Sequence, residues 1–377
     1  MKVLMWGRYD LLSAGGGDKV QVESTANELR KLGIEVDIST TLSTNIESYD
    51  IIHVFQLDWM SETYFYAKKA KKFKKPFVLS PIHHNVAEVQ RFDDEYAYGL
   101  RKLGSTFLRD QHNRDTLKNL YRSFKDRKKL PTTLASVFLG LKNMHIKTLQ
   151  MSDMVLVQTE LEAKDLKQTY HVDIEWKKVP NGVGGHFLVN SDIQNPLDIE
   201  DYILCVGRIE ARKNQLSIIK AVEELIKEEE VDLNLVFIGK KSGNHGQYVK
   251  MFDAEVAKNN WITYLPEVPY SDIPPYFKYA KVCVSASWFE TSGLTSLEAL
   301  FMGTNVVASG DRAREFLRAM ASYCDPGNIE SIKNAISKEL AAPRPKLNDS
   351  FKQEFTWKRS AELIKEVYTD LLKDVNS

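Results

Sequence analysis

The chain is poor in cysteine, has no long hydrophobic run and carries no excess charge. Three of its 377 residues are Cys, and no pair has the spacing of a metal site. Cys205 and Cys283 lie in apolar segments, where we expect buried structural thiols rather than a disulfide framework. No apolar run approaches about 18 residues, so we expect no membrane-spanning helix. The N-terminal segment, residues 1–7, is too short for a signal peptide and leads directly into the predicted fold. We therefore expect the cytoplasm as the simplest location.

What is present is an ordinary globular composition. Hydrophobic residues make up 43% of the chain and charged residues 27%, and 51 basic residues balance 51 acidic ones. This length predicts two or more domains with substantial cores. No recognisable nucleic-acid-binding module accompanies the basic segments, so we expect no nucleic-acid partner.

Short apolar segments alternate with longer helical patterns along the whole chain. This alternation predicts an α/β protein with two units, each built on a parallel sheet. The polar segment 189–200, broken by Pro196, has the composition of a linker between them. The candidate strands are residues 3–6, 35–38, 51–54, 77–80 and 154–157 in the first unit, and 203–206, 235–238, 261–264, 282–285 and 305–308 in the second.

Two glutamates eight positions apart, Glu290 and Glu298, lie on either side of a predicted helix start at Ser292 or Gly293. A helix N-terminus presents unpaired N–H groups and partial positive charge, which favour a phosphate or a polyhydroxylated ligand. Carboxylates beside it accept hydrogen bonds from sugar hydroxyls. A structural role is the alternative, because glutamate near a helix start is stabilised by the helix dipole.

A basic pair follows an earlier predicted strand. The apolar segment 203–206 ends at Gly207, and Arg208 and Lys213 come before a helix predicted to begin near Gln215. Two fixed cations at the carboxyl end of a strand neutralise a diphosphate without a metal ion. We therefore expect no metal and no other cofactor.

Taken in order, these segments resemble the donor-site motifs of the family-4 retaining glycosyltransferases, which have the two-domain GT-B fold. Other landmarks of that family are resembled by the glycine loop Gly15-Gly16-Gly17 and by the segments 152–159, 179–183, 235–239 and 355–368. The resemblance implies two Rossmann-like domains facing across a cleft. Residues 1–190 would form the acceptor-side domain, residues 191–355 would bind the nucleotide-sugar, and helix 356–377 would cross back to the first domain.

The resemblance also implies a role for each motif residue. Arg208 and Lys213 would stabilise the leaving phosphate, Glu290 would bind the donor-sugar hydroxyls, and Glu298 would bind the ribose. The remaining donor contacts would come from Gly16, Gly17, Gly207, Pro266, Ser292, Gly293 and Leu294. The expected substrates are a nucleotide-sugar, UDP favoured over GDP, and a glycan, lipid-linked or other glycoconjugate acceptor in surface polysaccharide synthesis. The expected reaction retains the anomeric configuration.

Two histidines follow the predicted strand 77–80. In the family a histidine near this place often faces the donor sugar, and His83 and His84 are the candidates here, after Pro81. The family's usual spacing is off by about one residue here. We favour His83 over His84, and a third interpretation is that neither contacts substrate. Base recognition also stays open, because Pro266 stands where the family usually has glycine and offers no N–H.

The stretch 101–150 is strongly basic. Twelve Lys and Arg residues against three Asp residues give it a charge of +9. Apolar residues are interleaved with this charge at Phe107, Leu108, Leu117, Leu120, Tyr121 and Phe124. Helices of this kind rest on an anionic membrane surface, and six lysines around Phe73 form a second candidate. The alternative for both segments is a solvated helix face.

Two other functions fit the same fold. A nucleotide-sugar epimerase would need acid and base groups around the sugar and no acceptor cleft. A catalytically silent subunit would bind a partner glycosyltransferase or a glycosylated protein, and loss of the donor motifs would indicate it. The set Arg208, Lys213, Glu290 and Glu298 is intact, which favours the transferase.

Overall fold

A computed structural model describes residues 1–12, 16–58, 61–96, 110–125, 130–188, 194–291 and 293–376. The chain divides into two compact units. Unit 1 contains Met1–Gln90, Leu103–Gly182 and Glu354–Ser377, and unit 2 contains Arg91–Lys102 and Val183–Gln353.

Unit 1 is built on a six-stranded parallel sheet with the order β2-β1-β3-β4-β5-β6. Its strands are β1 (Lys2–Trp6), β2 (Glu35–Ser39), β3 (Ile51–Phe55), β4 (Phe77–Ser80), β5 (Met154–Val157) and β6 (Trp176–Lys178). The helices up to β6 are α1 (Gly17–Lys31), α2 (Glu62–Lys72), α3 (Val86–Glu95), α4 (Gln111–Lys125), α5 (Leu130–Leu139), α6 (Leu141–Met151) and α7 (Glu160–Tyr170).

Both faces of this sheet are covered, because successive strand residues point to opposite sides. Leu4 and Trp6 of β1 belong to one buried cluster that includes residues of α2 and α7. Val3 and Met5 belong to a second cluster that includes residues of α1 and of the last helix, α15 (Trp357–Asn376). The central strands β1, β3 and β4 are therefore buried on both faces, whereas β2, at the edge of the sheet, alternates exposed and buried residues.

The last helix is part of the core of unit 1. Nδ1 of His53 lies 2.6 Å from the hydroxyl of Tyr368 on α15, and its Nε2 lies 2.8 Å from the hydroxyl of Ser80. Burial lowers the pKa of His53 to about 3, so the ring is neutral at pH 7. Both ring nitrogens have partners, which makes this buried histidine structural.

Unit 2 repeats the architecture with the strand order β12-β11-β10-β7-β8-β9, again parallel. Its strands are β7 (Tyr202–Val206), β8 (Leu235–Ile238), β9 (Ile262–Leu265), β10 (Ala280–Ser285), β11 (Asn305–Ser309) and β12 (Ser322–Cys324). Its helices are α8 (Gln215–Glu229), α9 (Gly246–Lys258), α10 (Pro274–Tyr279), α11 (Leu294–Phe301), α12 (Asp311–Leu317) and α13 (Ile329–Ala341), and α14 (Asp349–Glu354) ends where unit 1 resumes.

All ten predicted strands are confirmed, with ends shifted by at most two residues. The strands β6 and β12 were not predicted. Each has three residues and one neighbouring strand, at the edge of its sheet. Edge strands of this length carry little apolar periodicity, because one side is left to solvent.

The described part of the basic stretch 101–150 is helical, as expected. Leu117 of α4 is exposed and Leu120 is half-buried, whereas Phe107 and Leu108 lie outside the described residues, as do the side chains of Tyr121 and Phe124. In the described part of the chain, no helix has both the length and the apolar character needed to cross a bilayer.

Candidate functional site

The loop after β7 carries the predicted basic pair. It begins at Gly207, whose φ of +148° suits glycine, and a Cβ built there would lie 3.6 Å from the Lys213 side chain. The loop ends in a 3₁₀ turn, Ala211–Lys213, directly before α8. Gln215 donates to the carbonyl of Arg208 at 2.9 Å and accepts from the hydroxyl of Tyr248 at 3.0 Å. This buried glutamine therefore fixes the loop that presents Arg208 and Lys213.

Neighbouring loops at the carboxyl ends of the strands are tied to it. The backbone N–H of Trp288, after β10, donates to the carbonyl of Arg212 at 2.9 Å. The hydroxyl of Ser309, at the end of β11, donates to the carbonyl of Ser287 at 2.5 Å. Because these strands are parallel, their carboxyl ends meet at one edge of the sheet, where ligands of open α/β sheets bind.

The two predicted motifs meet at Glu290. The ammonium group of Lys213 donates to Oε1 of Glu290, and Nη1 of Arg212 lies 3.9 Å from the same oxygen. Arg212 also forms an ion pair of 2.8 Å with Glu210. Burial alone would raise the pKa of Glu210, but the charges of Arg212 and Arg208 outweigh it and hold that pKa below its ordinary value. The edge thus carries alternating charges rather than a bare cationic pair.

Arg208 differs from its neighbours in being exposed. Its charge reaches Glu210, as the lowered pKa of that carboxyl records. An exposed guanidinium at a strand end presents planar N–H donors that match the oxygens of a phosphate.

The second glutamate lies on α11. Gly293 caps this helix with a φ of +49°, and a Cβ there would lie 2.8 Å from Phe316, so both conformation and space require glycine. Leu294 is the first helical residue, and Ser292 lies outside the described residues. Glu298 is buried and accepts a 2.5 Å hydrogen bond from the hydroxyl of Tyr270.

The environment of Glu298 changes its protonation. Burial raises the pKa of Glu298 to about 7, although the hydrogen bond from Tyr270 lowers it. The ring of Tyr270 in turn packs edge-on against His186, with centroids 4.6 Å apart. A carboxyl with this pKa is divided between its neutral and charged forms near pH 7, and a hydroxyl-bearing ligand that donates to it favours the charged form.

Sequence reasoning missed three partners of the predicted residues. Tyr270 donates a hydrogen bond to Glu298, and Arg212 lies 3.9 Å from Glu290. Gln215 donates to the carbonyl of Arg208. Arg212 adjoins Lys213 in the chain, and this adjacency was the one available signal. Tyr270 and Gln215 act through tertiary contacts that no spacing predicts. Pro266 directly follows β9 and is exposed, with no contact that assigns it a role among the described residues.

The glycine loop lies in unit 1. Gly16 is the extended N-cap of α1, which begins at Gly17, while Gly15 lies outside the described residues. Asp18, in the first turn, is paired with Arg8 at 2.5 Å. This ion pair offsets the one acidic charge in the first turn of α1, so the helix end keeps its preference for an anion.

His83 and His84, also in unit 1, are held by one carboxylate. Nδ1 of His83 donates to Oδ1 of Asp58 at 2.5 Å, and Nδ1 of His84 donates to Oδ2 at 3.0 Å. Burial would raise the pKa of Asp58, but the two histidines hold it well below its ordinary range. The backbone N–H of His83 also donates to the buried Glu162 at 2.8 Å. The structure therefore fixes both rings, and the preference for His83 stays a prediction.

Among the described residues, no three His, Cys, Asp or Glu side chains come together as a metal-ion site. The expectation that the reaction needs no metal is a separate matter of chemistry and stays a prediction.

Residues 190–356 match the family model described as Glycosyl transferases group 1. Over 109 residues the chain is 33% identical to D-inositol 3-phosphate glycosyltransferase of Pseudarthrobacter chlorophenolicus. The matched segment is 29% of this chain and 26% of that relative. Over 142 residues it is 28% identical to O-antigen chain mannosyltransferase B of Escherichia coli, 37% of each chain. The chain thus matches about a quarter to two-fifths of the length of these relatives.

Solved structures match along the whole chain. Sucrose-phosphate synthase of Thermosynechococcus elongatus superposes with a TM-score of 0.72 at 14% identity, over 99% of this chain and 100% of that one. HepE of Anabaena, in complex with UDP, gives a TM-score of 0.65 at 14% identity, over 98% and 100%. The chain has the GT-B fold, and its residues 190–356 carry the sequence pattern of the glycosyl transferases group 1.

Proposed function

We propose that this chain is a retaining glycosyltransferase of family 4. It transfers a sugar from a nucleotide-sugar donor to a glycan, lipid-linked or other glycoconjugate acceptor in surface polysaccharide synthesis. The family match of residues 190–356 and the names of the relatives support sugar transfer. Because only part of each relative is matched, the activity itself is the proposal.

One observation carries it. In unit 2, Lys213 is bonded to Glu290 at the edge of the sheet, and Glu298 is buried on α11. A nucleotide-sugar has a diphosphate, a ribose and a sugar, and these groups need cations and carboxylate acceptors close together. In the proposal Glu298 accepts from the ribose, Glu290 accepts from the sugar hydroxyls, and Gly207, Pro266, Ser292, Gly293 and Leu294 complete the donor contacts.

The chemistry of the step determines the role of the cations. As the bond to the anomeric carbon breaks, negative charge accumulates on the departing diphosphate, and preorganised donors stabilise that charge. Lys213 has three ammonium hydrogens, so a bond to Glu290 leaves others to donate to phosphate oxygens. Arg208 supplies a second positive charge, on a planar group whose N–H donors match phosphate oxygens. With both cations in place, the proposed reaction needs no metal ion.

From unit 1 the proposal takes the backbone amides of Gly16 and Gly17 as further phosphate donors, and His83 as a contact to the donor sugar. Asp58 holds Nδ1 of His83, which orients the ring and directs Nε2 away from that carboxylate. We propose that the acceptor attacks from the face that the diphosphate leaves, which retains the anomeric configuration, and that the leaving phosphate takes the proton of the acceptor hydroxyl. His83 then positions the sugar and does not act as the base.

The proposed donor is a UDP-sugar, and the neighbouring structure solved with UDP supports this choice. The relative named O-antigen chain mannosyltransferase B supports a surface polysaccharide as the product. Nucleotide-sugars are cytoplasmic metabolites, which agrees with the cytoplasmic location expected from the sequence.

Calorimetric titration with UDP, GDP, ADP and their common sugar conjugates, in the presence of a chelator, tests donor class and metal need together. We expect saturable binding of one nucleotide, lost in Glu298→Ala. The double variant Arg208→Ala with Lys213→Ala should keep its fold and lose turnover, and near-normal activity would overturn the metal-free mechanism. If folded protein binds none of the nucleotides, the chain is a silent subunit that binds a partner, and the transferase proposal fails.

A further inference from the structure

Helix α3 is shared between the two units. Its residues up to Gln90 belong to unit 1, whereas residues 91–102 belong to unit 2, although the chain before and after them belongs to unit 1. The structure describes residues 91–96 of this excursion. The contacts that these six residues make within unit 2 therefore indicate what they do there.

Phe92 packs on the loop that carries Glu290. Its ring centroid lies 6.0 Å from that of Trp288 and 5.6 Å from that of Phe289, and all three side chains are buried. Aromatic pairs at these distances attract each other beyond the effect of the area they bury. Trp288 and Phe289 directly precede Glu290 in the chain, so contacts that fix their rings also restrict the backbone that presents this carboxylate.

Two other side chains of this segment extend the contact. The ring of Tyr96 lies 4.6 Å from that of Trp288, and the guanidinium of Arg91 lies 5.3 Å from the centroid of the same indole. Arg91 also forms an ion pair of 3.0 Å with Asp325, which follows β12. The hydroxyl of Tyr96 lies 3.3 Å from that of Ser217, in the first turn of α8. The segment therefore contacts several loops at the carboxyl end of the unit 2 sheet.

The loop after β12 is shaped for this contact. A Cβ built on Gly327 would lie 2.6 Å from Nη2 of Arg91 and 3.1 Å from the indole of Trp288, so a larger residue there would displace the guanidinium. The same loop is tied to the basic loop after β7, because the side chain of Asn214 donates to the carbonyl of Pro326 at 2.8 Å. Glycine at position 327 thus leaves the space that Arg91 fills.

The loop that carries Glu290 is also held by the basic loop. The backbone N–H of Trp288 donates to the carbonyl of Arg212 at 2.9 Å, and the guanidinium of Arg212 lies 5.4 Å from the ring centroid of Phe289. Lys213 is bonded to the carboxylate of Glu290 itself. The rings that residues 91–96 contact are therefore the rings that join this carboxylate to its cations.

We propose that residues 91–96 form a clasp that positions Glu290 for the donor sugar. The clasp acts through Trp288 and Phe289, so Phe92 is a positioning residue and not a catalytic one. The inference rests on the proposed function, in which Glu290 accepts hydrogen bonds from the sugar hydroxyls. Without the clasp the loop would gain freedom, and the carboxylate would meet the sugar less often in the right place.

Hydrogen exchange of the free protein tests the clasp without any ligand. Peptides that cover residues 286–291 report on the loop, in which the amide of Trp288 is bonded to the carbonyl of Arg212. We expect Phe92→Ala to speed exchange of this amide about tenfold or more, because both rings that hold the loop lose a partner. Phe92→Leu keeps a large apolar side chain and should restore part of the protection.

Phe252→Ala is the matched control. Phe252 is also buried in unit 2, and its ring centroid lies 5.1 Å and 5.4 Å from those of Phe237 and Tyr264. We expect this variant to lose thermal stability as Phe92→Ala does and to leave exchange of residues 286–291 unchanged. If Phe92→Ala fails to fold, Arg91→Gln tests the same contact from an exposed position, with an expected increase of about threefold.

Calorimetry tests what the clasp does for the ligand, with UDP and UDP-glucose as probes, or GDP and GDP-mannose if the wild type prefers guanine. Phe92→Ala should weaken the nucleotide-sugar about tenfold and leave the free nucleotide unchanged, because only the sugar would contact Glu290. The double variant Phe92→Ala with Glu290→Gln should bind the nucleotide-sugar no more weakly than Glu290→Gln alone. A positioning residue acts through the residue it positions, whereas independent losses add up.

Four results would overturn the proposal. Exchange of residues 286–291 is unchanged in Phe92→Ala, or it rises equally in Phe252→Ala, or nucleotide and nucleotide-sugar weaken equally, or the two losses add up in the double variant. A different result would overturn the proposed function alone. If exchange rises in Phe92→Ala but the folded wild type binds none of the four probes, residues 91–96 hold the loop and the chain does not use these donors.

Discussion

Glu290 and Glu298 are both glutamates and lie eight positions apart, yet their surroundings differ completely. Glu290 lies beside two cations, Lys213 and Arg212, at the edge of the sheet. Glu298 is buried, its partner is the neutral hydroxyl of Tyr270, and burial raises its pKa to about 7. The carboxylate of Glu290 therefore belongs to a charge network. The carboxyl of Glu298 is costly to ionise, and a ligand that donates a hydrogen bond to it would stabilise its charged form.

The largest expected effect comes from breaking the charge network around Glu290. Lys213→Ala should reduce the rate of sugar transfer about 10²–10³-fold, because one preorganised donor to the leaving group is removed. The rate with the nucleotide-sugar identified by calorimetry measures this. Lys333→Ala is the control, since Lys333 is also paired with carboxylates in unit 2, at 2.7 Å and 2.8 Å from Glu228 and Glu330. Equal losses in both variants would contradict a specific role.

The second prediction concerns the cost of ionising Glu298. Its pKa of about 7 exceeds the ordinary 4.5, so the folded state holds a proton that the unfolded chain has lost. The neutral form of Glu298 therefore stabilises the folded state fully below pH 4.5, and this stabilisation is lost as the pH rises to about 7. The free energy of unfolding falls by about 3 kcal/mol over this range. Glu298→Gln keeps a neutral side chain at every pH. We expect it to unfold at a higher temperature than the wild type at pH 8, and at the same temperature at pH 4.5.

Thermal unfolding of both proteins across pH 4.5–8.5 measures this difference. Glu290→Gln is the control, because Glu290 is among cations and its replacement removes a favourable ion pair. A wild type more stable than Glu298→Gln at pH 8 would show that Glu298 is not costly when charged.

The third prediction separates the two glutamates by ligand. Glu298→Gln should weaken nucleotide binding about tenfold at pH 8, because hydrogen bonds to a charged acceptor are lost. Glu290→Gln should leave the affinity for the free nucleotide nearly unchanged and weaken the nucleotide-sugar. Calorimetry with both ligands and both variants measures this, and identical profiles would remove the proposed division between ribose and sugar.

The smallest effect is expected at Tyr270. Its hydrogen bond lowers the pKa of Glu298, so Tyr270→Phe should raise that pKa and move the midpoint of pH-dependent nucleotide binding upward by about one unit. The wild type and the variant are titrated with the same nucleotide between pH 6 and pH 9, so that ionisation of the nucleotide affects both midpoints equally. An unchanged midpoint would mean that Tyr270 does not adjust the carboxyl.

The fold was largely predictable, because buried parallel strands such as β7 and β8 are apolar throughout and the helices between the strands are longer. The order of the motifs predicted which segments of the chain form the site. The contacts between those segments were not predictable, because the bonds from Lys213 to Glu290 and from Tyr270 to Glu298 depend on which strand ends become neighbours. The exposure of Leu134, Val137 and Phe138 on α5 was not predictable, because the apolar composition of that helix also suits a buried one.

The division of the chain has a consequence for its synthesis. Unit 1 is completed by Glu354–Ser377, which leave the ribosome after the sheet of unit 2, itself complete at Cys324. Until α15 emerges, one face of the first sheet has only the part of its cover that α1 supplies, and His53 lacks its Tyr368 partner. Unit 1 is therefore completed only after the sheet of unit 2, and a nascent chain halted before Trp357 has a complete second sheet and an incomplete first core.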